Sequence, residues 1–202
     1  MAVSEHRSTA PAGASVRVAV VSVSDTRTME TDQGGALIQT LTAAAGFQVV
    51  ARALIPDDPA AIAFEVRKLA SGGGVDAILM TGGTGIAPRD GTVDAVTPLF
   101  TKSLDGFGEL FRMLSFAAIG PAAMLSRATA GLIGGVLVFL MPGSPAGVQL
   151  AMERLILPEL GHLVGELRRP GGDARVADDA AQPGPHHHSH HDHHGHDERG
   201  RR

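Results

Sequence analysis

The 202-residue chain contains no cysteine, no tryptophan and no tyrosine. Without thiols there is no disulfide, no thiolate metal site and no cysteine nucleophile, which suits a cytoplasmic protein. Aromatic stacking on bases would have to rest on seven phenylalanines. Positive charge is also short: 17 Lys and Arg face 21 Asp and Glu, for a net charge of −4. That balance argues against nucleic acid as a partner. No apolar run reaches the ~18 residues of a membrane span, so no membrane partner is expected. The amino end lacks the apolar core of a secretory signal.

What is present is a middle that differs from both ends. Residues 1–14 are small and polar, and disorder is expected there. Residues 15–169 read as a single domain, long enough to bury a sizeable core. Residues 170–202 are poor in apolar side chains and are expected to be disordered.

Within the middle, Val16 to Val23 is a near-continuous apolar run, as a strand buried on both faces requires. Asp32 can cap a helix over 33–45, and Gly46 ends it. Phe47 to Ile55 reads as a second strand. Asp58 and Pro59 start a helix over 59–70, and Val75 to Met80 is a third strand. This β-α-β-α-β order predicts an α/β fold with a parallel sheet. Further on, the spacing predicts a helix over 92–100, a turn at Asp105-Gly106-Phe107-Gly108 and a helix over 109–116. A helical turn is expected over 122–126. Strands 129–133 and 136–140 form a hairpin about Gly134-Gly135. Ser144 and Pro145 open the last helix, which Pro158 should kink or interrupt before Arg168.

The third strand breaks into Thr81-Gly82-Gly83-Thr84-Gly85, followed by Pro88-Arg89-Asp90. Glycines let backbone N–H groups converge on an anion, and the threonine hydroxyls add donors. The stretch is neither a P-loop nor a dinucleotide fingerprint, because Ile86-Ala87-Pro88 stands where those motifs need Lys-Ser/Thr or another glycine. The alternative is a glycine turn made for chain reversal alone. Ser24-Asp25, Pro56-Asp57-Asp58 and Pro142-Gly143-Ser144-Pro145 end three other strands. In a parallel sheet such loops gather on one edge into one cleft. Ser24 and Asp25 fit either capping or ligand contact, and Asp57 either a cap or a site carboxylate. Asp57 and Asp90 beside phosphate oxygens imply a bridging Mg²⁺, so a phosphorylated or nucleotide ligand is expected.

His186, His187, His188, His190, His191, His193, His194 and His196 lie close together near the carboxyl end, with Asp192 and Asp197 among them. Imidazole with carboxylate binds Zn, Ni, Co or Cu, and a flexible tract binds weakly at many sites. Either this affinity serves metal delivery or storage, or it is incidental to a low-complexity tail.

The cradle with Pro88-Arg89-Asp90, then Asp105-Gly106-Phe107-Gly108-Glu109, Ser126-Arg127 and Pro142-Gly143-Ser144-Pro145, resembles the molybdopterin-binding family. The resemblance spans about residues 15–168. The stretch from Gly106 to Phe116, with Ile119-Gly120, is most similar to the branch of molybdenum cofactor biosynthesis protein B. Molybdopterin adenylyltransferases and the gephyrin G domain are related. The resemblance implies a three-layer α/β/α sandwich with a mostly parallel central sheet, assembled as a trimer or hexamer. It implies adenylylation of molybdopterin by Mg²⁺-ATP with release of pyrophosphate, in molybdenum cofactor biosynthesis. Asp57 and Asp90 match the family's two important aspartates, which would hold Mg²⁺ and orient the attacking phosphate. Residues Thr81 to Gly85 match the loop that holds the pterin phosphate, while Glu109, Gly143 and Ser144 match cleft positions. Ser24, Asp25, Arg89 and Pro142 complete the expected substrate-binding set. Two alternatives stand beside the enzyme: a molybdopterin-binding carrier oligomer without turnover, and a metal-handling protein whose domain anchors the histidine tail. Other enzymes of the cofactor pathway are expected partners.

Overall fold

Apolar runs become strands and capped amphipathic stretches become helices in the computed structural model, which describes residues 16–169. Six strands form one sheet: β1 (Arg17–Val23), β2 (Gln48–Ile55), β3 (Ala77–Thr81), β4 (Lys102–Ser103), β5 (Thr129–Ile133) and β6 (Val136–Met141). Their order is β2-β1-β3-β6-β5-β4. The first four of these run parallel, and β5 and β4 extend the sheet antiparallel. The chain leaves β1 for β2 on one side and returns to β3 on the other, so the strand order reverses beside β1.

Alternation along each strand supplies both faces of the sheet. Val18, Val20, Leu79 and Phe139 pack under α1 (Gln33–Ala44), α4 (Asp105–Ile119), α5 (Pro145–Ala151), the π-helical turn Met152–Ile156 and α6 (Leu157–Arg168), through Ile38, Phe111, Val148, Ile156 and Leu160. Ala19, Val21, Ile78 and Val138 pack under α2 (Pro59–Ser71) and α3 (Thr92–Val96), through Ile62, Val66 and Val96. The architecture is the expected three-layer α/β/α sandwich, with a mostly parallel sheet. A fully buried Leu, Ile or Phe contributes about 1.5–3 kcal/mol, so these two interfaces hold the layers.

Local signals place the helices. Asp32, Asp58 and Ser144 accept hydrogen bonds from the amides of Gly35, Ala61 and Gly147, each three residues on. Gly134 and Gly135 turn the hairpin with φ of 56° and 88°, as its two-residue turn requires.

Two expectations need correction, and β4 adds a strand that was not expected. Residues 105–108 are not a turn but the first turn of α4, because Phe107 faces the core. The 92–100 stretch is α3 followed by a 3₁₀ turn, Thr97–Leu99, since Pro98 cannot continue the ladder. β4 is two residues long and exposed, too short to leave a pattern in sequence. The last α-helix is interrupted just before Pro158, as expected. A π-helical turn, Met152–Ile156, precedes it, and the ladder takes up the missing N–H there. The 1–14 segment and all eight tail histidines lie outside the described residues.

Candidate functional site

The parallel register sets the strand ends side by side. Ser22 stands opposite Thr81, Val23 opposite Ile55, and Thr81 opposite Met141. The four loops that follow therefore meet at the carboxyl edge of the sheet, around the point where strand order reverses.

The cradle has a backbone that glycine alone adopts easily. Gly82 and Gly83 have φ of 103° and 62°. A Cβ on Gly82 would strike the Val23 carbonyl, and one on Gly83 would strike Thr92 and lie 3.0 Å from Asp57 Oδ1. Thr92 closes the turn: its hydroxyl donates to the Gly82 carbonyl at 2.9 Å and its amide to Gly83 at 3.0 Å. The Thr81 hydroxyl is committed to the Pro142 carbonyl at 2.8 Å. This bond ties β3 to the loop after β6, at the wall of a polar pocket.

Asp57 and Asp58 divide their roles. Asp58 caps α2, which leaves the Asp57 carboxylate to accept from the Gly91 amide at 3.3 Å. Neither Ser24 nor Asp25 caps a helix. The Ser24 hydroxyl accepts from the amides of Thr26 and Arg27, both at 3.3 Å. Asp25 accepts from the Asp57 amide at 2.9 Å and joins the β1 and β2 loops. Asp90 accepts from the Ala87 amide at 2.8 Å. Partial burial pushes the Asp57 carboxyl above its usual range. The Gly91 amide and Arg89 oppose that shift, while the charges of Asp25 and Asp90 add to it.

Three cavities surround these groups. An apolar chamber of about 560 Å³ is lined by Gly83, Thr84, Gly85 and Asp90 on one side, by Phe111 and Ser115 of α4, and by Pro142, Gly143 and Ser144 on the other. A polar pocket of about 260 Å³ lies between β1 and β3, lined by Ser24, Arg27, Thr81, Gly82, Arg89 and Gly143. A smaller one of about 120 Å³ gathers Ser24, Asp25, Asp57, Gly83, Arg89 and Asp90. On the wall of the polar pocket, buried Asp32 accepts from Ser22 at 2.6 Å and Arg52 at 3.1 Å. Burial pushes its carboxyl up, but these bonds and the Gly35 amide hold it below its usual value.

The structure brings together every expected site residue in 16–169 except Glu109, which is exposed on α4 and lines none of these three cavities. Arg27, Phe111 and Ser115 were not expected. Arg27 could have been found from its place in the polar loop that ends β1. Phe111 and Ser115 give no such signal, because their stripe on α4 is also a core stripe.

Carboxylates are hard oxygen donors and suit Mg²⁺. Among the described residues no three His, Cys, Asp or Glu groups converge tightly enough to hold a metal alone. Asp57 and Asp90 line one pocket and are the residues that would hold a Mg²⁺, together with phosphate oxygens and water.

A family model described as "probable molybdopterin binding domain" matches residues 19–162. The chain belongs to this family. Every residue of the cleft lies inside the matched span of the molybdopterin-binding domain, and the histidine tail lies outside it. The chain is 49% identical over 170 residues to molybdenum cofactor biosynthesis protein B of Bacillus subtilis (strain 168), covering 84% of this chain and 99% of that one. A crystal structure of a molybdenum cofactor biosynthesis protein B superposes with a TM-score of 0.76 at 49% identity, over 78% of this chain and 98% of the other. A structure of MogA superposes with a TM-score of 0.68 at 27% identity, over 75% and 99%. No helix among the described residues is long and apolar enough to cross a membrane.

Proposed function

We propose that the protein acts in molybdenum cofactor biosynthesis by adenylylating molybdopterin with Mg²⁺-ATP. The molybdopterin phosphate attacks the α-phosphate of ATP. A new phosphoanhydride bond forms, the α–β bond breaks and pyrophosphate leaves. The observation that carries this reading is the meeting of Asp57 and Asp90 across the Gly91 amide, beside a glycine cradle and between an apolar and an arginine-lined cavity. Molybdenum cofactor biosynthesis protein B and MogA among the related proteins support it.

Roles follow from the chemistry of each wall. The apolar chamber suits a flat pterin, and the backbone of Gly82 to Gly85 suits its phosphate. Arg27 and Arg89 suit the nucleotide phosphates. Mg²⁺ held by Asp57 and Asp90 would neutralise charge on the phosphate oxygens. The residues supply positioning and fixed charge, with no covalent intermediate. Ser24, Asp25, Pro142, Gly143 and Ser144 shape the walls.

The proposal includes self-association as a trimer or hexamer. On α4 and the 3₁₀ turn after it, Leu110, Met113, Phe116, Ile119, Met124 and Leu125 are all exposed. An apolar surface of this kind marks an interface. The histidine-rich segment is proposed to bind Zn, Ni, Co or Cu as an accessory, and removal of residues 171–202 should change metal binding and leave adenylylation intact.

The deciding assay is pyrophosphate release by the purified protein with Mg²⁺-ATP and molybdopterin. Release is the expected result. Tight molybdopterin binding without release would instead favour a carrier that protects the intermediate.

A further inference from the structure

Arg127 follows the 3₁₀ turn Gly120–Leu125, which forms one wall of the apolar chamber. Its side chain reaches away from that wall into the cradle loop. Nε donates to the Gly85 carbonyl at 2.8 Å, and Nη2 donates to the Asp90 carbonyl at 2.7 Å. Nη1 donates to both carboxylate oxygens of Asp94 on α3, each at 2.9 Å. Its own amide donates to the Thr84 carbonyl at 3.1 Å. One residue thus grips the loop at Thr84, Gly85 and Asp90 and anchors it to a helix of the opposite layer.

The loop has few other restraints. Ile86, Ala87, Pro88 and Arg89 are exposed. Asp90 closes the loop on itself through the Ala87 amide, which fixes its shape but not its place. The amide of Gly91 holds Asp57, so any shift of Asp90 also loosens Asp57.

We infer that Arg127 is a positioning residue: it sets Asp90 and the end of the glycine cradle at a fixed place relative to the chamber wall. It acts through carbonyl groups and is not a ligand contact. The planar fork suits this role, since three of its nitrogens donate in different directions at once. A lysine at this position keeps the charge but loses that geometry. The inference rests on the proposed adenylylation for its kinetic readout alone.

The test compares the full chain with Arg127→Lys and Arg127→Gln. Hydrogen exchange over residues 84–91 reads the loop directly, and thermal unfolding reads the fold. In both variants the loop amides are expected to exchange about tenfold faster or more, because charge-assisted bonds are lost. The Arg127→Lys melting temperature should stay within a few degrees of the parent. In pyrophosphate release, Arg127→Lys should raise the Mg²⁺ concentration for half-maximal rate and lower kcat by about tenfold. KM for ATP should change far less. A general loss of folded protein would not move the Mg²⁺ requirement. Unchanged exchange over 84–91 in both variants overturns the inference, as does an Arg127→Lys enzyme whose Mg²⁺ requirement equals the parent's. If the parent releases no pyrophosphate, the adenylyltransferase reading fails, and the exchange measurement still decides the role of Arg127.

Discussion

The Asp57 carboxylate accepts a hydrogen bond from the amide of Gly91, the residue after Asp90, at 3.3 Å. This one contact joins the loop after β2 to the loop after β3. It holds two carboxylates on the same side of the glycine cradle, although 33 positions separate them in sequence.

Replacing either carboxylate should therefore remove activity and spare the fold. Asp57→Asn and Asp90→Asn should each lower kcat for pyrophosphate release by about 10²-fold or more, the scale of losing a main electrostatic contact. Asparagine at 57 can still accept from Gly91. Because the fold holds Asp57 beside two like charges, Asp57→Asn should also raise the melting temperature slightly. A kcat within a few-fold of the parent for both variants would remove them from the chemistry.

The Asp57 carboxyl lies above its ordinary value, so the folded protein holds a proton there more tightly than the unfolded chain does. Two consequences have definite signs. The ionised group costs stability at neutral pH, and that cost disappears as pH falls through the raised value. Protons also compete with Mg²⁺ at this site sooner than they would at an unperturbed aspartate. Titration of Mg²⁺ with a nucleotide bound, read by calorimetry across the acidic range, should show affinity falling at higher pH for the parent than for Asp57→Asn.

Two glycines of the cradle leave room for the two carboxylates. A Cβ at 85 would lie 2.6 Å from Asp90 Oδ2, and one at 83 would lie 3.0 Å from Asp57 Oδ1 and strike Thr92. Gly83→Ala also places a side chain at positive φ, which costs about 1–2 kcal/mol. It should lose both stability and activity. Gly85→Ala has no such backbone penalty, so it should keep most of its stability and lose activity through Asp90. Equal melting temperatures for both variants would contradict this division.

At the other edge of the sheet, Asp76 ties α6 to β1. It accepts from the Arg17 amide at 2.8 Å and pairs with Arg17 and Arg168 at 3.2 and 2.8 Å. Burial alone would raise its carboxyl, but these bonds hold it at about 2. A depressed carboxylate stabilises the fold above its unfolded value near about 4, and that contribution is lost as pH falls towards 2. Asp76→Asn should cost about 1–2 kcal/mol at neutral pH. It should also flatten the acid limb of the stability curve between these two values, as urea unfolding at stepped pH would show.

Leu110 and Met113 stand on the exposed apolar side of α4. Leu110→Glu with Met113→Glu should convert the proposed oligomer to a monomer in light scattering, with helix content unchanged. A parent that is already monomeric at high concentration would remove the self-association proposal.

Local sequence was enough to determine the five longer strands, the caps Asp32, Asp58 and Ser144, the Gly134-Gly135 hairpin and the glycine-rich loop. Each depends on residues within a few positions of one another, so its cause is written in the pattern. That Asp57 and Asp90 share one cleft was legible in the strand-end loops of a parallel sheet, and the family resemblance pointed to the same pair. Tertiary structure decided the rest. It committed the Thr81 hydroxyl to Pro142, left Glu109 outside the cavities, drew in Arg27 and Phe111, and ran Arg127 across to Gly85 and Asp90. These outcomes depend on which strand ends the register sets side by side and which helix face turns inward. Such contacts join residues tens of positions apart, and no local periodicity records them.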